Sequence, residues 1–196
     1  MTSVNNPSAA ISNENVATAK SLRKLYFIRT GFSFLWFILV TVLAKKNADL
    51  ASLLLIIYPV WDVIATYLDI RANPATASKT PQYVNAVIST VTTVAVIVAL
   101  QAGVPEALMV FGAWAILTGL IQLFLGLKRR KVFGGQWPMI ISGGQSMIGG
   151  TAFILLAHAP TMGIASLAGY AAFGGFYFLL SAIRISKVVK ANTANA

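Results

Sequence analysis

Asp62 is a carboxylate in an unusual place, inside the apolar stretch YPVWDVIATYLDIR that runs from Tyr58 to Arg71. Thr66 and Asp69 follow Asp62 at steps of four and three, and Tyr58 precedes it by four. This spacing places all four side chains on one face of a helix. If that helix spans a membrane, the carboxylate costs at least about 2.5–3.5 kcal/mol at depth. We expect it either to pair with a cation or to hold a proton or an ion.

Arg29 is the candidate partner, because it lies in the preceding apolar stretch with Ser33 and Trp36 on its helical face. Its long side chain can adjust its depth in the bilayer. An ion pair with Asp62 or with Asp69 would neutralise both charges. We favour a pair that locks two helices together, with a proton or cation site at Asp62 as the alternative. The predicted polar cluster consists of Arg29, Tyr58, Asp62, Thr66 and Asp69.

The composition of the chain indicates a membrane protein. Its 196 residues are 57% hydrophobic and only 10% charged, whereas about a quarter of the residues in a soluble domain are charged. The net charge of +10 does not indicate a nucleic-acid partner, because the basic residues fall in short clusters between apolar stretches. The chain has no cysteine, which excludes disulfides, thiol chemistry and cysteine-based metal sites.

Six segments are long and apolar enough to span a bilayer, which needs about 20 mostly apolar residues. They are about Leu25–Ala44, Leu50–Leu68, Tyr83–Leu100, Glu106–Leu127, Trp137–Ala157 and Met162–Ile185. The third is rich in Val, Ile and Thr, but a lone strand would leave its backbone unpaired in lipid. The predicted fold is an all-α membrane protein with six transmembrane helices over residues 20–190. Residues 1–19 are predicted to be a disordered cytoplasmic tail, and 191–196 a second cytoplasmic tail.

The distribution of Lys and Arg predicts the orientation. One set of loops and helix ends carries Lys20, Arg23, Lys24, Arg71, Lys79, Lys128, Arg129, Arg130, Lys131, Arg184, Lys187 and Lys190. The opposite set carries only Lys45 and Lys46. The richer side is cytoplasmic by the positive-inside rule, so both termini are predicted to be cytoplasmic.

A faint repeat accompanies this pattern. The even-numbered segments end at Arg71, Lys128 and Arg184, which are 57 and 56 positions apart. Three parallel two-helix repeats would give this period. Any evenly spaced six-helix protein would also give it, so both interpretations stay open.

Small residues predict close helix packing and no catalytic site. Ser142, Ser146 and Gly150 follow a small-xxx-small spacing, and Gly169 forms another with Ala165. Ser142 and the only histidine, His158, lie roughly 24 Å apart along one helix, too far for a catalytic dyad. One histidine without cysteines makes a metal site improbable, and no cofactor is expected.

The fourth and fifth segments, FGAWAILTGLIQLFLGLKRRKVFGGQWPMIISGGQSMIGG, resemble the short repeat of the HdeD-like family of small bacterial membrane proteins. The likeness is carried by Trp114, Gly119, Trp137, Ser142, Gly143 and Gly150. It implies a six-helix protein of the bacterial inner membrane, in a family with one member tied to acid resistance. It implies no reaction and does not account for Asp62.

The expected function is therefore a non-enzymatic role in the bacterial inner membrane, related to the envelope or to acid stress by this resemblance. The alternative is a small transporter or a proton or ion pathway that uses Asp62. The expected partner is the lipid bilayer, with anionic head groups as candidates for the run Lys128–Lys131. No nucleic acid is expected, and a homo-oligomer is left open.

Overall fold

The computed structural model describes residues 7–74, 76–133 and 136–194, which fold into six α-helices without a strand. In chain order they are α1 (Pro7–Leu43), α2 (Ala48–Ala72), α3 (Thr80–Ala102), α4 (Val104–Phe133), α5 (Trp137–Leu155) and α6 (Leu167–Ala194). A short 3₁₀ helix, Ile164–Ser166, precedes α6. The all-helical prediction is confirmed for these residues.

Five of these helices, all except α5, are long and apolar enough to cross a membrane. Their outward faces carry large exposed apolar side chains, such as Val87, Val91 and Val98 on α3. The chain is therefore a multi-pass membrane protein. The fifth predicted span, α5, is shorter, with 19 residues, and its crossing of the membrane stays a prediction. Its glycines, serines and Gln145 make it less apolar than its neighbours.

The first helix begins at Pro7, well before the predicted start near Leu25. This corrects the expected disordered tail for residues 7–19, while 1–6 lie outside the described residues. Ala19 and Leu22 are buried against Ala182 and Ile185 of α6, and this packing supports the extended helix. At the other terminus α6 continues to Ala194, so that helix replaces most of the predicted second tail.

The connections between helices on one side of the bundle are short because local signals end each helix sharply. Asn47 caps α2 by accepting a hydrogen bond from the backbone N–H of Leu50, at 2.9 Å. Gly103 is the only residue between α3 and α4, and its φ of 151° lies in a region that favours glycine. These turns bring consecutive helices side by side.

The six helices form a closed ring in sequence order. Each helix packs on the next one along the chain, and α6 packs on α1. We call the end with Arg71, Lys128–Lys131 and Arg184 the basic end. One cluster of buried apolar residues, which includes Leu22 and Ile185, lies near this end. A larger one, which includes Trp36, lies towards the other end.

Glycines bring α4 and α5 into backbone contact. A Cβ atom added at Gly150 would lie 2.5 Å from the carbonyl oxygen of Gly112, and one at Gly143 would lie 2.6 Å from that of Gly119. Such distances leave no room for a side chain. Gly112 and Gly119 of α4 are seven residues apart, as are Gly143 and Gly150 of α5. This spacing keeps the contact on one face of each helix. Close approach through small residues is the usual way in which membrane helices associate.

Candidate functional site

Asp62 is buried and uses both carboxylate oxygens. Arg29 donates from Nη1 to Oδ1 at 3.0 Å. Asn85 donates from Nδ2 to Oδ2 at 2.6 Å, and Ser89 donates from Oγ to the same oxygen at 2.8 Å. Trp114 in turn donates from Nε1 to the Ser89 oxygen at 2.9 Å. The expected ion pair with Arg29 is present, and α3 and α4 extend it into a network.

Asp69 forms a second ion pair, which was not predicted from the sequence. Arg129 donates from Nη2 to both carboxylate oxygens of Asp69, at 2.6 and 2.7 Å. Its Nη1 donates to the hydroxyl of Tyr26 at 3.3 Å, and that hydroxyl lies 3.4 Å from Oε1 of Gln136. Of the two aspartates proposed for Arg29, Asp62 is therefore its partner.

Arg129 is an exception within the run Lys128–Lys131, which was expected to be a candidate for contact with anionic head groups. The Arg129 side chain is only 8% exposed, whereas Lys128, Arg130 and Lys131 are exposed. A signal for this was present in the sequence. Trp114, Thr118, Gln122, Leu125 and Arg129 follow at steps of four, four, three and four, which marks one inward face of α4.

The polar cluster borders a cavity of about 420 Å³ in the middle of the ring. All six helices contribute side chains to its wall, and the five residues of the polar cluster are among them. Gln82 and Asn85 of α3, and Gln122 and Gln145 of α4 and α5, also line it. The cavity therefore has many polar groups although it lies within a membrane protein.

Aromatic side chains close the cavity on the side away from the basic end. Tyr58 is their centre: its ring lies 4.6 Å from that of Trp36 and 5.7 Å from those of Phe111 and Trp114, between centroids. Tyr170 of α6 adds a fifth ring, 6.2 Å from Tyr58. Edge-to-face and tilted contacts of this kind favour a fixed arrangement.

The four residues predicted to serve helix packing have different environments. Ser146 donates to the carbonyl oxygen of Ala115 on α4 at 2.9 Å, and Gly150 contacts α4 directly. Ser142 is buried and lines the cavity. Gly169 is a correction: no atom lies within 4 Å of a Cβ placed there, so it lines open space and does not mediate close packing.

Both aspartates of the cavity wall are engaged in hydrogen bonds. The oxygens of Asp62 and Asp69 are occupied by hydrogen bonds from Arg29, Asn85, Ser89 and Arg129. The remaining donors and acceptors of the wall can hydrogen-bond a guest molecule.

Comparisons with known proteins identify no relative: no family model, curated protein or solved structure matches the chain. The resemblance to the HdeD-like family therefore stays a prediction. The function has to be inferred from the geometry of the cavity and from the charges that border it.

Proposed function

We propose that this chain is a non-enzymatic membrane protein that binds one small molecule in the central cavity and acts as a small transporter or carrier. One observation supports this above all: six helices from one ring contribute side chains to one cavity of about 420 Å³. Ligand sites commonly measure about 300–1,000 Å³ and occur between the helices of bundles.

A proton or ion pathway through Asp62 is the weaker alternative. Three donors share the two oxygens of this carboxylate, and a proton or cation bound there would neutralise the charge that pairs with Arg29. Leaving Arg29 without its counter-charge in a low dielectric would cost several kcal/mol. The ion pair is better explained as a rigid part of the cavity wall.

The finer location is also part of the proposal. Lys and Arg concentrate at the basic end, where α1 begins and α6 ends, which favours cytoplasmic termini. The choice of a bacterial inner membrane rests on the resemblance to the HdeD-like family. The exposed Lys128, Arg130 and Lys131 would add about 1 kcal/mol each in contact with anionic head groups. The three-repeat arrangement, HdeD-like membership and a role in acid stress rest on the sequence patterns given above.

The proposal is tested by filling the cavity from within. A Cβ at Gly174 would meet only the Tyr58 hydroxyl, at 4.0 Å, so Gly174→Phe should occupy cavity space with little strain. Gly31→Phe is the matched control, because Gly31 is an exposed helical glycine of α1 with no atom within 4 Å. Native mass spectrometry of the protein released from membranes should find a bound small molecule in the wild type and in Gly31→Phe, but not in Gly174→Phe. A wild type without a bound mass, or equal occupancy in all three, would contradict the proposal.

A further inference from the structure

Among the described residues that line the cavity, the exposed ones all lie at one place on the outer surface of the ring. Ile148 and Phe173 are 73% and 56% exposed, and Gly169 is exposed beside them. All three lie on α5 or α6, whereas the lining residues of the other four helices are buried or partly buried. The cavity therefore opens sideways, between α5 and α6.

The depth of this opening places it opposite hydrocarbon. Ile148 lies seven residues before the end of α5 at Leu155, and Phe173 lies six residues after the start of α6 at Leu167. Both are therefore roughly 10 Å from the nearer helix ends, by helical rise. A gap at that depth in a bilayer about 30 Å thick meets acyl chains and not water.

Small residues and one hydrogen bond border the opening. A Cβ at Gly169 would meet no atom within 4 Å, and one at Gly149 would meet only the ring of Tyr170, at 3.4 Å. The Tyr170 hydroxyl lies 2.7 Å from Oγ of Ser146. Ser146 already donates its one hydrogen to Ala115, so Tyr170 is the donor of this bond. A single hydroxyl contact across the seam can open at little cost.

Packing closes three other routes into the cavity. Towards the basic end, Tyr26, Arg129 and Gln136 form a buried layer. The seam between α1 and α2 is held by the Arg29–Asp62 pair and by the stacked rings of Phe32 and Trp61, 4.3 Å apart. Backbone contact through glycines seals α4 against α5.

The charges in the wall balance, which restricts the charge of a guest. Two arginines and two aspartates line the cavity, and each arginine is paired with one aspartate. A guest with a net charge would find no free counter-charge, and an uncompensated buried charge costs several kcal/mol. The guest is therefore expected to be uncharged overall.

Two side chains of the cavity wall indicate which hydrogen-bonding groups the guest molecule should have. Arg29 has five N–H donors, of which one hydrogen bond to Asp62 is formed, and its side chain is 15% exposed where it borders the cavity. Gln82 also lines the cavity, and its Oε1 has no hydrogen-bond partner among the described residues. That atom is closed off from the cavity space, so the amide must turn over before its oxygen can accept a hydrogen bond from a guest. Arg29 can donate to an acceptor oxygen of a guest, and the turned Gln82 amide can accept from a donor such as a hydroxyl.

We propose that the cavity takes up an uncharged, hydroxyl-bearing amphiphile from the bilayer through the opening between α5 and α6. Its head group hydrogen-bonds to Arg29 and Gln82, and its chain lies in the opening beside Ile148 and Phe173. This inference rests on the proposed function, because it names the substrate class and the entry route for the same cavity.

Brominated amphiphiles test the charge requirement, because bromine quenches tryptophan fluorescence at short range. Trp61→Phe with Trp137→Phe leaves the buried Trp36 and Trp114 as reporters, and Trp114 lines the cavity. The protein is reconstituted in phosphatidylcholine vesicles and mixed with dibrominated monooleoylglycerol, dibrominated oleate at pH 9 or a dibrominated alkylammonium. We expect saturable quenching by the uncharged glycerol compound and at least tenfold weaker binding of the two ions. Equal binding of all three would overturn the assignment of an uncharged guest.

Two substitutions test the route with opposite expected signs. Gly169→Phe narrows the opening and should slow quenching by monooleoylglycerol at least fivefold while leaving its final extent unchanged. Phe173→Ala widens the opening and should accelerate quenching, and Gly31→Phe should behave like the parent protein. Unchanged rates in both opening variants would overturn lateral entry. If no probe quenches, but the wild type still carries a bound mass that Gly174→Phe lacks, then this inference fails and the proposed function stands.

Discussion

The two ion pairs differ in how they are held, although both lie within helices of a membrane protein. Asp62 receives one charged and two neutral donors, from α1 and α3. Asp69 depends on a single group from another helix, because one nitrogen of Arg129 donates to both of its oxygens. Loss of Arg129 therefore leaves the buried Asp69 carboxylate with no cation and with only the Asn73 amide, 3.2 Å from Oδ1, as a side-chain donor.

Arg129 and its neighbour Arg130 provide a matched pair for testing this difference. Both substitutions, Arg129→Gln and Arg130→Gln, remove one positive charge from the same turn of α4. We expect Arg129→Gln to lower the free energy of unfolding by about 3–5 kcal/mol, because it leaves Asp69 unpaired in a buried place.

Arg130 is exposed and lies 4.6 Å from the ring centroid of Trp137, so its loss should cost less than about 1 kcal/mol. Thermal unfolding in detergent, followed by circular dichroism, measures both variants. Equal losses in the two would mean that the charge of the run, and not the buried pair, determines stability.

The sequence predicted the face of Asp62, because helical spacing depends only on the chain itself. It also predicted that Arg29 pairs with Asp62 or Asp69, and left the choice between them open. It did not predict the contributions of α3. Gln82, Asn85, Ser89 and Thr92 follow at steps of three, four and three, so a polar stripe was present there. Its meaning depends on which helix lies opposite, and spacing within one helix does not give that information.

At the scale of the helices, two adjacent glycines of α5 differ in whether they touch α4: Gly143 does and Gly144 does not. A Cβ at Gly143 would lie 2.6 Å from the carbonyl oxygen of Gly119 and 2.7 Å from the backbone nitrogen of Leu123. A Cβ at Gly144 would meet nothing within 4 Å. The two glycines are adjacent in sequence and have opposite steric surroundings.

We therefore expect Gly143→Ala and Gly144→Ala to change stability in opposite directions. Gly143→Ala should destabilise the fold by about 1–3 kcal/mol, because backbone atoms of α4 cannot move aside easily. Gly144→Ala should stabilise it by roughly 0.5–1 kcal/mol, because alanine loses less backbone entropy in a helix. Detergent unfolding midpoints measure both, and a loss of stability in Gly144→Ala would contradict the contact between α4 and α5 described above.

The ends of the helices were the least predictable features at this scale. The start of α1 was missed because residues 7–19 show no apolar period, yet polar residues can extend a helix that has already been nucleated by packing. The start of α2 and the end of α3 each lie two residues from the prediction, and Asn47 and Gly103 mark these two boundaries chemically.

At the scale of the whole molecule, the central cavity could not be predicted from the sequence. The cavity arises because the six helices close into a ring. In this ring α1 packs on α2, the next helix in sequence, and also on α6, the last one. Such closure depends on packing between segments far apart in the chain. The predicted polar faces indicate only which side chains turn inward.

The orientation of the whole ring can be measured because the chain lacks cysteine. Single cysteines are introduced by Lys131→Cys at the basic end and by His158→Cys near the opposite end, both at exposed positions. With spheroplasts and a membrane-impermeant maleimide, we expect His158→Cys to be labelled at once and Lys131→Cys only after lysis, following the positive-inside rule. The reverse pattern would contradict cytoplasmic termini.

The pairing of α1 with α6 has a consequence for how the protein is made. A ribosome completes α1 and must then add roughly 120 residues before α6 begins, which takes about 6–25 s at usual rates of synthesis. Arg29 can form its ion pair much sooner, because Asp62 belongs to the next helix to be synthesised. Asp69 can form its ion pair only after Arg129, at the end of α4, has been synthesised. The nascent chain can therefore neutralise Asp62 early. The face of α1 that α6 later covers stays open to lipid or to an insertion factor until the last helix is released.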